Sequence, residues 1–185
     1  MKKTILLFVT LFFTFTLFSQ NIKPAPEDKA VVYFVRTSAL GFAINFTYFD
    51  SLKVIGRFNG PKYIRYECSP GKHLFWARSE NRDFVEADLE AGKIYFLQAS
   101  PQMGIIKAGV ELTPVYPNDE STMKKVTKLL SKKEPETFTQ EELDNEEKHL
   151  TNVIERGMRK YVEDIKNGEL HKVLKKTMYY ELQSK

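Results

Sequence analysis

The sequence predicts a mainly β protein, an antiparallel β-sandwich of seven or eight strands followed by an α-helical C-terminal tail. Between Ala30 and Val115, short runs rich in β-branched and aromatic residues alternate with Gly, Pro, Asn and Ser. From Asn118 onward Gly and aromatic residues become sparse, and Lys and Glu dominate. Cys68 is the one cysteine, so the fold depends on its core rather than on an intrachain disulfide.

Residues 1–20 have the pattern of a secretory signal peptide. Lys2 and Lys3 precede an uncharged run from Ile5 to Phe18. This run is shorter than the roughly 20 apolar residues that a membrane span needs. Leu17 is large where a cleavage site usually has a small residue, so the alternative is an uncleaved segment that tethers the protein to a membrane. No cysteine follows the segment, so we expect no lipid anchor.

Residues 21–116 are predicted to form the β-sandwich domain. In one run, Ile64, Tyr66 and Cys68 share one side of the strand, as expected when one face is buried. The run from Phe42 to Phe49 is apolar on most of both sides, so this strand is expected to be central or covered by another element. The predicted strands span about 30–36, 42–49, 52–58, 62–68, 72–79, 83–89, 93–99 and 105–114.

Residues 117–185 are predicted to form a helical extension. Ser121 is the expected N-cap of a first helix, which Pro135 ends. Thr139 and Glu142 have the spacing of a capping box and predict the start of a second helix. Gly168 is a stop signal, and a last helix is predicted from Leu170 to Met178. Apolar residues recur at helical spacing in the second helix: Leu143, Leu150, Ile154, Met158, Tyr161 and Ile165.

The apolar stripe of the second helix needs a partner surface. We expect it to pack within the chain, on the β domain or on the other tail helices. Association with another envelope protein, self-association and a mobile tail are the alternatives.

Histidines and carboxylates give weak signals for chemistry. Glu146 and His149 have the Glu-x-x-His spacing of di-iron helix bundles, but the second copy that such a centre needs does not occur. His73 follows a Pro-Gly-Lys turn, and no Gly-x-Ser-x-Gly nucleophile motif is present. Glu86 and Asp88 are expected on the wet face of their strand. The sequence therefore assigns no catalytic, cofactor-binding or metal-binding residues, and we expect a protein that is not an enzyme.

Aromatic residues are abundant in the predicted strands, and most are expected in the core. Four residues are the candidates for an exposed patch that binds a ligand or partner: Tyr63, Arg65, Trp76 and Arg78. Cys68 is expected to be a small buried residue rather than a nucleophile.

The charge argues against nucleic acid as a partner. The net charge is +4, and Lys2 and Lys3 of the predicted signal contribute half of it. The remaining basic residues do not form the cluster on one face that nucleic-acid binding requires.

Three segments together resemble a bacterial envelope domain of unknown function, family 2846. They are Val31–Arg36, which contains a Tyr-Phe-x-Arg strand, Cys68–His73, with a Pro-Gly-Lys-His turn, and Glu90–Phe96, with an Ala-Gly-Lys-x-Tyr strand start. The resemblance covers about residues 30–115 and implies an exported, non-enzymatic β-sandwich. It supplies no catalytic residues. Many members of that family resemble lipoproteins, whereas this chain lacks the lipid-bearing cysteine.

The leading hypothesis is an exported envelope protein, periplasmic or secreted, that acts as a non-catalytic binding or structural module. The first alternative is a carrier of a small ligand or glycan that uses an exposed aromatic patch near Trp76. The second is a hydrolase of an unrecognised type.

Overall fold

Two mixed β-sheets face each other, and an α-helix covers the outer face of each. The computed structural model describes residues 22–103 and 108–182. In this part of the chain the strands are β1 (Ala30–Arg36), β2 (Asn45–Asp50), β3 (Lys53–Asn59), β4 (Lys62–Cys68), β5 (Gly71–Arg78), β6 (Arg82–Leu89), β7 (Ile94–Met103), β8 (Ala108–Pro114) and β9 (Lys172–Leu174), and the helices are α1 (Glu120–Leu130) and α2 (Gln140–Lys166). The eight strands predicted before the tail are all present, with ends that differ by at most four residues, and residues 105–107 of the predicted last strand lie outside the described residues.

The first sheet has the order β4-β1-β7-β8, and the second has the order β3-β2-β5-β6-β9. The prediction of purely antiparallel sheets is wrong, because β1 pairs in parallel with β7 and β6 pairs in parallel with β9. Parallel neighbours need a long crossover. The segment from β2 to β6 supplies the first crossover, and the tail supplies the second.

The main core lies between the two sheets. Alternate residues of each strand point into it, and it includes Phe34 of β1, Tyr48 of β2 and Phe75 of β5. Strand β2 lies between β3 and β5, and its Phe49 is buried on the opposite side under α2. The prediction that this strand is central or covered is therefore confirmed for Asn45–Asp50, whereas Phe42 lies before the strand and is 70% exposed. Cys68 is buried in the main core, as expected.

Helix α1 covers the outer face of the first sheet. Its buried residues pack against Val31, Tyr33 and Tyr63 of the strands below. The N-cap is Asp119, whose carboxylate accepts a hydrogen bond from the Thr122 N–H, and not the predicted Ser121. The buried residues recur with the helical period: Met123, Val126, Leu129 and Leu130.

Helix α2 covers the outer face of the second sheet. The predicted capping box is confirmed, with Thr139 and Glu142 bonded reciprocally. The predicted stripe from Leu143 to Tyr161 packs over Trp76 and Phe84, whereas Ile165 is exposed. None of the helices in the described residues is both long and apolar enough to cross a membrane.

The linker between the helices crosses the edge of the sandwich formed by β3 and β4. The Glu136 N–H donates to the Tyr63 carbonyl at 2.8 Å, which extends the edge of β4. The Phe138 ring packs against the main core and lies on Gly56 of β3, where any side chain would occupy the position of the ring. The linker therefore closes the open edge between the sheets.

The chain after α2 does not form the last helix that was predicted over 170–178. Instead, β9 pairs with β6, and a 3₁₀ turn follows at Lys176–Met178. Leu174 and Met178 fill the main core, and the Tyr180 N–H donates to the Ile94 carbonyl of β7 at 2.7 Å. The free edge of β6 and the unfilled core favour a strand over local helix propensity here. The expectation that the tail packs within the chain is therefore confirmed, and its β9 extends the second sheet.

Candidate functional site

The predicted exposed patch does not exist. Tyr63 is only 3% exposed because α1 and the linker cover it, and its hydroxyl donates to the Lys133 carbonyl at 3.2 Å. Trp76 is fully buried under α2 and donates from Nε1 to the Ser51 carbonyl at 2.9 Å.

The four residues of the predicted patch also lie on two different sheets. Tyr63 and Arg65 belong to the outer face of the first sheet, while Trp76 and Arg78 belong to the second. Arg65 pairs with the neighbouring Glu67 carboxylate. The aromatic surface of Trp76 is therefore inaccessible to a ligand in this structure.

A polar cluster closes one end of the space between the sheets. Asp50 stands at the end of β2, and His73 near the start of β5 donates from Nδ1 to its Oδ2 at 2.8 Å. The Tyr66 hydroxyl of β4 donates to the same Oδ2 at 3.1 Å. The other imidazole nitrogen, Nε2, lies 2.8 Å from the Ser69 carbonyl. The Asp50 carboxylate therefore joins β4 of one sheet to β2 and β5 of the other.

His73 is a buried cation rather than a free base. The hydrogen bond to the Asp50 carboxylate, the adjacent Cys68 and the Ser69 carbonyl raise the pKa of His73 to about 10, against a smaller opposing effect of burial. The imidazolium carries a proton on each nitrogen, and both protons have acceptors. It therefore has no lone pair to accept a proton from a substrate.

Tyr66 and Cys68 complete the cluster. Burial and the neighbouring Asp50 carboxylate raise the pKa of Tyr66 well above its ordinary value, so its hydroxyl stays protonated as a donor. The Cys68 thiol is 7% exposed, and its Sγ lies 3.8 Å from the Ala30 carbonyl. The residue types are those of a Cys-His-Asp triad, but the thiol and the imidazole are both engaged with main-chain carbonyls.

An open cleft lies over this cluster. We call it the end cleft; it has a volume of about 530 Å³ and is lined by Lys29, Asp50–Lys53, Tyr66–Ser69, Lys72 and His73. Among the described residues neither Lys53 nor Lys72 forms an ion pair, and Lys29 lies 3.9 Å from the exposed Asp28. The two acids in the lining are already paired, Asp50 with His73 and Glu67 with Arg65. The cleft is therefore positively charged.

The acids of β6 do not converge with His73. His73 points between the sheets, and its cross-strand neighbour is Ala87. Glu86 points to the other side, where its carboxylate accepts a hydrogen bond from Tyr161 of α2 at 2.8 Å. Asp88 lies 3.6 Å from Lys176. His73 and these acids therefore do not form one site.

The Glu-x-x-His pair of α2 lies elsewhere on the surface. Glu146 lies 3.4 Å from the Arg57 guanidinium of β3, and His149 is exposed. In residues 22–103 and 108–182, no group of three or more His, Cys, Asp or Glu side chains is arranged to hold a metal ion.

Sequence reasoning missed Asp50 and the three lysines as members of one site. Asp50 precedes a tight turn in which Ser51 has a positive φ of 53°, and an Asp before a turn is ordinary. It is 23 residues from His73, and no motif links the two positions.

In comparisons with known proteins, no protein-family model and no curated protein matches the chain.

Proposed function

We propose that this protein is an exported, non-catalytic binding module of the bacterial envelope, and that the end cleft is its ligand site. The observation that carries the proposal is the combination of the hydrogen-bonded Asp50–His73 pair with Lys53 and Lys72 at the rim, which form no ion pair within the described part of the chain. The lysines of the site can attract and hold a ligand, but both nitrogens of the His73 imidazole are already hydrogen-bonded.

Export is supported by the signal-peptide pattern of residues 1–20, which lie outside the described residues. The resemblance to the envelope family agrees with it, because it implies an exported, non-enzymatic β-sandwich. A periplasmic or secreted location follows from this proposal, and a tether formed by an uncleaved residues 1–20 is its alternative.

The absence of catalysis is supported by the protonation state of His73. A general base needs a free lone pair at the pH at which the enzyme works, and a pKa near that pH. With a pKa of about 10 and both N–H groups bonded, the His73 imidazolium instead fixes the floor of the cleft. The binding geometry is thereby held rigid by a buried ion pair.

The proposal is tested by NMR on the protein purified after export. We expect anionic envelope compounds to shift the amide signals of Lys53, Ser69 and Lys72, while neutral glycans leave them unchanged. Replacement of Lys29, Lys53 and Lys72 by Gln is expected to abolish the shifts. The matched control replaces three exposed lysines of α1, Lys124, Lys128 and Lys132. Shifts that map only to other surfaces would contradict the proposal.

A hydrolase remains the second candidate, because Asp50, His73 and Cys68 have the residue types of a nucleophilic triad. It requires the Cys68 thiolate to become accessible and His73 Nε2 to leave the Ser69 carbonyl. Labelling with iodoacetamide separates the two functions. We expect Cys68 in the folded protein to react far more slowly than in urea at pH 7. Rapid labelling of the folded protein, and turnover of any ester or amide that Cys68→Ala abolishes, would favour the hydrolase.

A further inference from the structure

Leu52 connects the end cleft to the surface of α2. It stands at the tip of the β2–β3 hairpin, and its side chain is 61% exposed. It lines the end cleft and also two depressions that run along α2, of about 470 Å³ and 620 Å³. These three depressions therefore adjoin one another at Leu52.

The part along α2 is apolar at its base. We call it the α2 groove, and Leu52, Ile154, Met158 and Val162 contribute its apolar side chains. Val162 is 47% exposed, although it belongs to a helix that has already buried its opposite stripe on the sheet. Apolar side chains that remain open beside charged ones are typical of binding surfaces.

The two parts of this surface differ in character. The end cleft offers Lys29, Lys53 and Lys72, whose ammonium groups suit a compact oxyanion such as a phosphate. The α2 groove offers hydrocarbon, and its charged rim has a net charge of −1, from Asp144, Glu147, Lys148, Glu155, Arg159, Glu163 and Lys166. A ligand that fits both parts has an anionic head and an apolar chain.

We propose that the end cleft and the α2 groove together bind an anionic single-chain amphiphile. Its head group lies among the three lysines, and its chain passes Leu52 and follows Met158 and Val162. This inference rests on the proposed function, because it names the ligand class of the same cleft. Each methylene that the groove removes from water is expected to increase the affinity about fourfold.

Titration calorimetry with three probes tests the inference. A short-chain lysophosphatidylglycerol, kept below its critical micelle concentration, carries both parts of the ligand. Glycerol phosphate carries the head alone, and octyl glucoside carries a chain with a neutral head. We expect the lysolipid to bind at least about tenfold more tightly than either of the other probes, since a few buried methylenes suffice for this ratio.

Substitutions test which part of the ligand binds to the end cleft and which part binds to the α2 groove. Val162→Ser, which lies outside the end cleft, is expected to weaken lysolipid binding at least about fourfold and to leave glycerol phosphate binding unchanged. Leu40→Ser is the matched control, since Leu40 is 56% exposed in the loop between β1 and β2. Replacement of Lys29, Lys53 and Lys72 by Gln is expected to reduce the affinity for the lysolipid to about the affinity for octyl glucoside. Thermal melts verify folding, and Lys53→Gln alone replaces the triple variant if the latter is unfolded.

The outcomes separate this inference from the proposed function. If glycerol phosphate binds as tightly as the lysolipid, the proposal of an amphiphilic ligand is overturned, while the end cleft remains a binding site. The same proposal is overturned if octyl glucoside binds as tightly as the lysolipid. It is also overturned if anionic vesicles bind and the monomeric lysolipid does not. If none of the probes binds and none shifts the amide signals of the cleft, both proposals fail.

Discussion

Gly157 of α2 lies directly against the indole of Trp76 on β5. A Cβ at position 157 would lie 2.7 Å from Cη2 of the indole, closer than side-chain contacts in real proteins. The indole has no freedom to retreat, because it is stacked on Phe49 at 3.7 Å and bonded to the Ser51 carbonyl. The long helix can therefore approach the sheet only with glycine at this point.

The first prediction concerns this contact. Overpacking in Gly157→Ala is expected to cost about 1–3 kcal/mol, and a gain of about 1 kcal/mol in helix propensity offsets part of it. The expected net destabilisation is therefore up to about 2 kcal/mol. Denaturant unfolding measures the change. Asn152→Ala, at an exposed position of the same helix, is the control and is expected to be nearly neutral or stabilising. In a double-mutant cycle, Trp76→Phe is expected to relieve part of the cost, and strict additivity of the two changes would contradict the explanation.

The second prediction is a pH dependence of stability from His73. Its pKa is about 10 in the folded protein and close to the ordinary 6.5 in the unfolded chain. Below pH 6.5 both states hold the proton, so the stabilisation is complete. Between pH 6.5 and 10 only the folded state holds it, and the free energy of unfolding is expected to fall by up to about 1.4 kcal/mol per pH unit.

Urea unfolding at several pH values measures this slope. His73→Gln is expected to be less stable at pH 6.5 and to lose most of the decline up to pH 10. His149→Gln is the matched control, because His149 is exposed on α2. A wild-type slope that His73→Gln leaves intact would show that other groups cause it.

The third prediction is that the tail is required for folding. A chain cut after Pro117 loses α1, α2 and β9, which exposes Tyr33 and Trp76 on the two outer faces and removes Leu174 from the main core. We expect this chain to lose cooperative unfolding and to aggregate. Circular dichroism and light scattering measure both properties. A monomeric fragment with a sharp transition would indicate that the sandwich is an independent domain after all.

The fourth prediction concerns like charges on the β5–β6 hairpin. Arg78 and Arg82 are direct cross-strand neighbours. Burial lowers the pKa of Arg82, and the charges of Arg78 and Arg156 lower it further. Arg78→Glu is expected to stabilise the protein by about 0.5–1 kcal/mol at low salt, with Arg78→Gln between it and the wild type. The difference is expected to shrink in high salt, and a salt-independent gain would contradict an electrostatic cause.

Local pattern was sufficient for most of the secondary structure. The strand from Lys62 to Cys68 and the capping box at Thr139 follow from alternation and spacing within a few residues. The segment from Leu170 to Met178 was mispredicted, because its neighbours in space, β6 and the main core, are far away in the chain. The burial of Tyr63 and Trp76 was not predicted for the same reason, because the positions of the two helices on the sheets decide it.

By itself the sequence determined that the chain forms a β-sandwich with a helical tail, because backbone periodicity and turn residues act locally. Only the tertiary structure decided that the tail belongs to the sandwich and that Asp50, Tyr66 and His73 meet at one end. Such a meeting depends on strand order and on parallel crossovers, which residue spacing does not encode. The end cleft, its lysines and the position of Leu52 beside α2 are products of that long-range arrangement.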